Sequence, residues 1–212
     1  MRKKARTRKS RFALNLCAGL TALIFSGCAS IRQPTNYLSN LGLNTRPTIE
    51  GFDVCDGAGC RSISSLDYSK EEWMQIRAIF EPRPENSAAE RERINVAIGA
   101  METIIGLKNG TLGDAPRNRR QLGTGKQIDC IAEAANTTVA LMLLKQEGLL
   151  HFHRVGYPQH RGFARLRLPH NSASVVEEST GATYVIDSWF FEGGAPAVSI
   201  PANEWKSGFS PN

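Results

Sequence analysis

The chain has 212 residues, 41% of them hydrophobic and 22% charged, with ten prolines and nineteen glycines. That balance excludes a collagen-like repeat, a low-complexity chain and a long disordered tail, and it suits one domain around one core. The formal net charge of +6 resembles a nucleic-acid signal, but residues 1–27 hold seven Lys/Arg and no acid, leaving 19 basic against 20 acidic side chains elsewhere. The basicity belongs to the leader, so no nucleic-acid partner is expected.

Residues 1–11 are basic, and residues 12–25 are an apolar run interrupted only by Asn15 and Thr21. Those fourteen residues would span about 21 Å as a helix, short of the ~30 Å hydrocarbon core, which predicts a signal peptide rather than a membrane span. The run closes on Phe25-Ser26-Gly27-Cys28, which resembles the lipobox of bacterial lipoproteins. The resemblance implies a signal peptide over 1–27 and a diacylated Cys28 as mature N-terminus. With Ala29 after it, the expected location is the cell envelope, anchored by lipid to the outer membrane and facing the periplasm. Cleavage near Gly27 or Ala29 without lipid, or an uncleaved anchor, are the alternatives.

Residues 30–51 contain Pro34, Pro47 and several asparagines with few periodic apolar positions, and read as a tether. The expected organisation is a tether over 28–61, containing a Cys55–Cys60 loop, before a domain over 62–212. Export places the cysteines in an oxidising compartment. Cys17 leaves with the leader and Cys28 would carry lipid. Cys55 and Cys60 bracket a glycine-rich turn and predict a disulfide, because no nearby histidine completes a metal clip. Cys130 is left over from this pairing, which calls for burial or reactivity.

Ser69 with Glu72 forms a capping box for a first helix, with Trp73, Ile76 and Phe80 on one face and Pro82 and Pro84 ending it. Ser87 with Glu90 predicts a second box. Ile94, Ala97/Ile98, Met101 and Ile104/Ile105 then make a stripe that Asn109-Gly110 terminates. A long glycine-rich, basic loop follows over 110–128. Asp129 N-caps a third helix over 130–147, closed by Gly148, whose middle is nearly free of charge and should be buried all round. Strands are expected over 149–155, 162–168, 171–177, 182–190 and 197–200. Helices first and an antiparallel sheet after them predict an α+β fold.

Cys130 opens the third helix, where unpaired amides and the helix dipole favour a thiolate. Such a thiol becomes a nucleophile when a histidine takes its proton and a third group orients that histidine. His170 opens one strand of a hairpin and Asp187 lies in the other. A two- or four-residue turn sets His170 opposite position 191 or 189, and strand alternation then puts both side chains on one face. The third helix is expected to pack on that face. Taken singly, the same residues read as a buried small hydrophobe, a turn histidine and a capping or ion-paired aspartate.

At Asp129-Cys130-Ile131-Ala132-Glu133-Ala134, Pro169-His170-Asn171-Ser172 and Tyr184-Val185-Ile186-Asp187-Ser188-Trp189, the chain resembles the transglutaminase-like cysteine proteinases, a branch of the papain-like fold. The seventeen-residue spacing of His170 and Asp187 fits that family's hairpin. The resemblance spans about 69–208. It implies a central Cys-bearing helix on an antiparallel sheet, with Cys130 as nucleophile, His170 as general base and then acid, and Asp187 holding the imidazole tautomer. The oxyanion would meet the Cys130 N–H and a side-chain donor, Gln127 or Gln121. The implied reaction is cofactor-free acyl transfer on a peptide or protein substrate of the envelope, ending on water or on an amine. A non-catalytic envelope module that binds or assembles partners is the alternative. A rival site would use His151 and His153 on one strand face, with His170 or Asp187, as zinc ligands, although no HExxH-type helix accompanies them. Ser172 and Ser174 lie outside any nucleophile elbow.

Overall fold

The computed structural model describes residues 32–118, 126–162 and 169–211. Cys28, Gln121, the leader and, apart from Gly162, the strand expected over 162–168 lie outside the described residues. The element order is α1 Pro34–Asn40, β1 Phe52–Cys55, β2 Ile63–Leu66, α2 Lys70–Ile79, α3 Ser87–Asn109 and α4 Cys130–Gln146, then β3 His153–Val155, β4 Gln159–Arg161, β5 His170–Glu177, β6 Thr183–Asp187, β7 Val198–Pro201 and α5 Ala202–Ser207. This is the expected α+β class. A two-stranded sheet, β1–β2, accompanies a main sheet in the order β3-β5-β6-β7, with β4 also pairing β5, all antiparallel. Among the described residues, no helix is long and apolar enough to cross a membrane.

The organising element is α4. From Ala132 to Leu144 every residue except Met142 is buried, so this helix needs a neighbour on each side. The sheet supplies Ala173, Val175 and Ile186, and α3 supplies Ile94, Ile98 and Met101 to the same core. The remaining side is closed by the segment expected to be a tether, and that expectation is corrected. Residues 34–40 form α1, with Leu38 fully buried, and Leu43, Phe52 and Val54 enter the core. An apolar side chain of this size contributes roughly 2 kcal/mol on burial, which is what a solvated tether lacks. Cys55 and Cys60 form the expected disulfide. Its loop is bolted to α4 by the Asn136 side chain, whose Oδ1 accepts from Cys55 N at 2.7 Å and whose Nδ2 donates to Cys55 O at 2.8 Å.

The Ser69–Glu72 capping box is present. The second is not: Asn86 is the N-cap of α3, its Oδ1 accepting from Ala89 N at 2.9 Å. Glu90 is instead fully buried and ties α3 to the start of the sheet. Its carboxylate accepts from His151 N at 2.6 Å, from Phe152 N at 3.1 Å and from His153 Nδ1 at 2.8 Å. On the other side of that ring, Arg91 lies 3.1 Å from Nε2, reaches Glu177 at 2.9 Å and stacks 3.7 Å over Tyr184. Burial alone would raise the Glu90 carboxyl; the bonds from His153, His151 and Phe152 outweigh it and hold it below its ordinary 4.5.

A carboxylate held low stabilises the fold above its ordinary titration range, and that contribution is lost on acidification. Glu90→Ala is expected to lower the unfolding free energy at pH 7 by about 3 kcal/mol, because it strands a buried imidazole and two amides. In denaturant titrations the gap to wild type should shrink as the pH falls from the ordinary carboxyl range through the lower value at which folded Glu90 takes up its proton.

Candidate active site

The turn from β5 to β6 brings two of the three expected side chains together. Glu177 N donates to Ala182 O, enclosing a four-residue turn, and the register Ala173↔Ile186 extends to place His170 opposite position 189. Strand alternation then puts His170 and Asp187 on one face. His170 Nε2 lies 2.8 Å from Asp187 Oδ2, and each side chain is 1% exposed. Trp189, Phe190 and Trp205 surround the imidazole, with ring centroids 4.4, 5.6 and 5.3 Å away. With the Asp187 carboxylate at Nε2, that nitrogen carries the proton and Nδ1 keeps its lone pair. Nδ1 is buried and has no hydrogen-bond partner.

Cys130 is the first residue of α4, is half-buried and remains a thiol. Asp129 caps the helix as expected, accepting from Ile131 N at 3.2 Å and Ala132 N at 3.1 Å, and its Oδ1 also takes Gly59 N of the disulfide loop at 2.9 Å. Tyr37 stands beside this turn, its hydroxyl donating to Ile131 O at 3.4 Å and its ring edge-on to Tyr157. Burial, followed by the nearby Cys130, raises the Tyr37 phenol above its ordinary range.

The expected packing of α4 on the His170 face is corrected. Ala173, Val175 and Ile186, which meet α4, alternate with His170 and Asp187 along their strands. The face carrying the pair is covered by α5: Val185, Ile200 and Trp205 form a second small core there. The helix touches the end of the hairpin through its first turn, where Ser188 Oγ donates to Glu133 Oε2 at 2.9 Å. The structure therefore joins His170 to Asp187, and places Cys130 at the helix start that meets the end of the hairpin.

Gln127 is buried inside its own loop. Its Oε1 accepts from Ala115 N at 3.0 Å and from Asn118, while Nε2 donates to Gly113 O at 3.2 Å. That amide braces the 113–118 turn, and Asn118 O in turn accepts from Trp189 Nε1 at 3.0 Å. The imidazoles of the rival metal site are separated by function: His153 faces Glu90 and Arg91, whereas His151 is exposed.

Sequence reasoning missed the acidic lining behind the first turn of α4. Glu102 of α3, Asp114 and Glu133 line one small cavity with Thr111, Asn136 and Gly193. Glu133 was legible as a charge within an otherwise apolar helix. Burial raises Glu102 to about 7 and Asp114 to about 6, and raises Glu133 as well, with the neighbouring carboxylates adding to the effect. Each group holds its proton to a higher pH in the fold than in the unfolded chain, so the contribution is full at acid pH and declines as the pH rises towards 7. Glu102→Gln keeps an acceptor for Gly194 N, which lies 3.2 Å from Glu102 Oε2. It is expected to unfold with a free energy up to ~2 kcal/mol above wild type at pH 8 and close to wild type at pH 4, as read by denaturant titration.

No family model matches the chain, and no curated protein or solved structure matches it either.

Proposed function

We propose that the protein is a thiol-dependent acyl transferase or hydrolase of the papain-like, transglutaminase-like kind, acting on peptide or amide bonds at the cell envelope. The observation that carries the reading is the His170–Asp187 hydrogen bond, which commits Nε2 and leaves Nδ1 as the ring's available base. The nearest nucleophile by chain logic is Cys130, at the helix start that the Ser188–Glu133 bond ties to the residue after Asp187. In this reading the α4 first turn reaches the imidazole around the end of the hairpin rather than across its face.

The chemistry follows from these roles. Cys130 passes its proton to His170 Nδ1, and the thiolate attacks the amide carbonyl carbon. Asp187 stabilises the imidazolium, as in other thiol and serine acyl transfers. Collapse of the tetrahedral adduct breaks the C–N bond, and the Nδ1 proton leaves on the amine. Water, or a lysine-type amine, then attacks the thioester; His170 takes its proton and returns one to the departing sulfur. The pair needs no cofactor for these steps. The N-terminal signal and Cys28 would hold the enzyme by lipid at the outer membrane, where envelope proteins and peptides are the substrates.

A second reading, a non-catalytic module that binds envelope partners, is favoured by one observation: His170 is sealed by three aromatic rings on the face opposite the body of α4.

Thiol ionisation separates the two. With iodoacetamide at pH 6, wild-type Cys130 should be alkylated at least ten times faster than an ordinary thiol of pKa about 8.5, with His170→Ala and Asp187→Asn each slowing it about tenfold or more. Labelling at the ordinary rate, unaltered by His170→Ala, would leave only the binding module.

A further inference from the structure

Asp187 Oδ2 receives a second donor that has no part in the reading above. Trp205, in the one-and-a-half-turn α5, points its indole Nε1 at that oxygen from 2.7 Å, while His170 Nε2 approaches the same atom at 2.8 Å. Trp205 is fully buried. Its indole therefore does two things: its ring closes one side of the imidazole, 5.3 Å between centroids, and its N–H fixes the carboxylate that orients that imidazole.

The indole is itself held. Arg161 of β4 is the register partner of His170. Its guanidinium stacks 4.4 Å over the Trp205 ring and donates to Trp205 O at 2.5 Å and to Phe209 O at 2.8 Å. Phe209 packs on Phe190, which in turn lies edge-on to His170. Arg117 reaches Pro211 O at 2.7 Å, tying down the end of the same arm. A short C-terminal helix, whose small core among the described residues is Val185, Ile200 and Trp205, is thus clamped from β4, the neighbour of the strand that carries the histidine.

From this geometry we infer that Trp205 is a positioning residue, delivered by the C-terminal arm, that locks the Asp187 carboxylate in the rotamer in which it steers His170. The inference deepens the proposed function and rests on it. A carboxylate rotates about its last torsion over a broad well, and Asp187 Oδ1 has no hydrogen-bond partner to stop it. Two donors converging on Oδ2 supply that stop. A donated hydrogen bond also favours the ionised carboxylate, which is the form that can accept the Nε2 proton of His170 and stabilise the imidazolium.

The test is a double-mutant cycle on the full-length chain. Trp205→Phe keeps an aromatic ring beneath Arg161 and removes only the indole N–H. Incorporation of benzothienylalanine at 205, in which sulfur replaces N–H at nearly constant volume, covers the case in which phenylalanine leaves a cavity that unfolds the arm. The readout is the pH profile of Cys130 alkylation by iodoacetamide. Each change at 205 should slow labelling at pH 6 about tenfold and move the acid limb of the profile upward by about half to one pH unit, whereas in an Asp187→Asn background the same change should slow it no further. An unmoved acid limb, or equal slowing in both backgrounds, would show a purely structural tryptophan and overturn the inference.

The two proposals fail differently. Should wild-type Cys130 label at an ordinary rate, the acyl-transfer reading falls. The same cycle is then scored on the 15N shifts of the His170 ring, which report the tautomer whether or not the thiol reacts. Coupling between positions 205 and 187 in those shifts would keep the positioning role; independent effects would remove it.

Discussion

The architecture depends on the requirement that α4 be covered on every side. A helix without a polar face has no stable position at a surface, so whatever chain is nearest must close over it. In this protein the sheet covers one side, α3 another, and α1 with the disulfide loop the third. This explains why residues with little apolar periodicity, such as the run from Pro34 to Phe52, are nonetheless ordered: Leu38, Leu43 and Phe52 are single anchors spaced along an irregular path. It also explains why the disulfide sits where it does. The loop between Cys55 and Cys60 presents Gly59 N to Asp129 and the Cys55 peptide to Asn136, so the cross-link steadies the strand end that seals the helix start.

The interior handles buried acid in two opposite ways. Glu90 is given four approaches from amides and an imidazole and keeps its charge. Glu102, Asp114 and Glu133 line one cavity, and burial raises the carboxyl of each. The contrast follows from geometry. Two adjacent backbone N–H groups and an imidazole converge on Glu90, whereas Glu102 takes Gly194 N, Asp114 takes Ile128 N and Glu133 takes Ser188 Oγ while the three carboxyls share one cavity. Charge inside a protein survives where fixed donors meet it and is otherwise neutralised by a proton.

What could be read from the sequence divides along the same line. Local signals were sufficient where the deciding contacts are local: the Ser69–Glu72 box, the Asp129 cap, the Gly110 stop and the pairing of Cys55 with Cys60. The relation of His170 to Asp187 was legible because alternation in a hairpin is arithmetic once the turn length is known. Signals failed where a distant group competes for the residue. Glu90 matches a capping-box position, but two amides and a ring 61 to 63 residues away claim it. The face on which α4 packs was misjudged for a related reason. Parity says which side chains share a face, but only the burial of Ala173, Val175 and Ile186 says which face the helix takes. Trp205 lay in a short polar stretch near the C-terminus with no periodic pattern, and only the fold brings it to Asp187.

That last contact changes how the histidine should be understood. Hydrogen bonding at Nε2 leaves Nδ1 as the ring nitrogen without a hydrogen-bond partner, and the orientation of Nδ1 is then set by everything that holds the opposite side of the ring. Asp187 alone would fix a direction but not a plane. The three aromatic rings, with Trp205 serving both as a wall and as a donor, fix the plane. Since His170 and Asp187 lie on the α5 face while the body of α4 lies on the other, the histidine is presented by β5 under the cover of the C-terminal arm, and the cysteine by the central helix. The two sides of the hairpin meet at its end, where Ser188 bridges to Glu133. A site assembled from both is sensitive to small shifts of either, because a displacement of about 1 Å is enough to uncouple a proton transfer. In this fold the short α5 helix is therefore as much a part of the candidate site as the helix that carries the thiol.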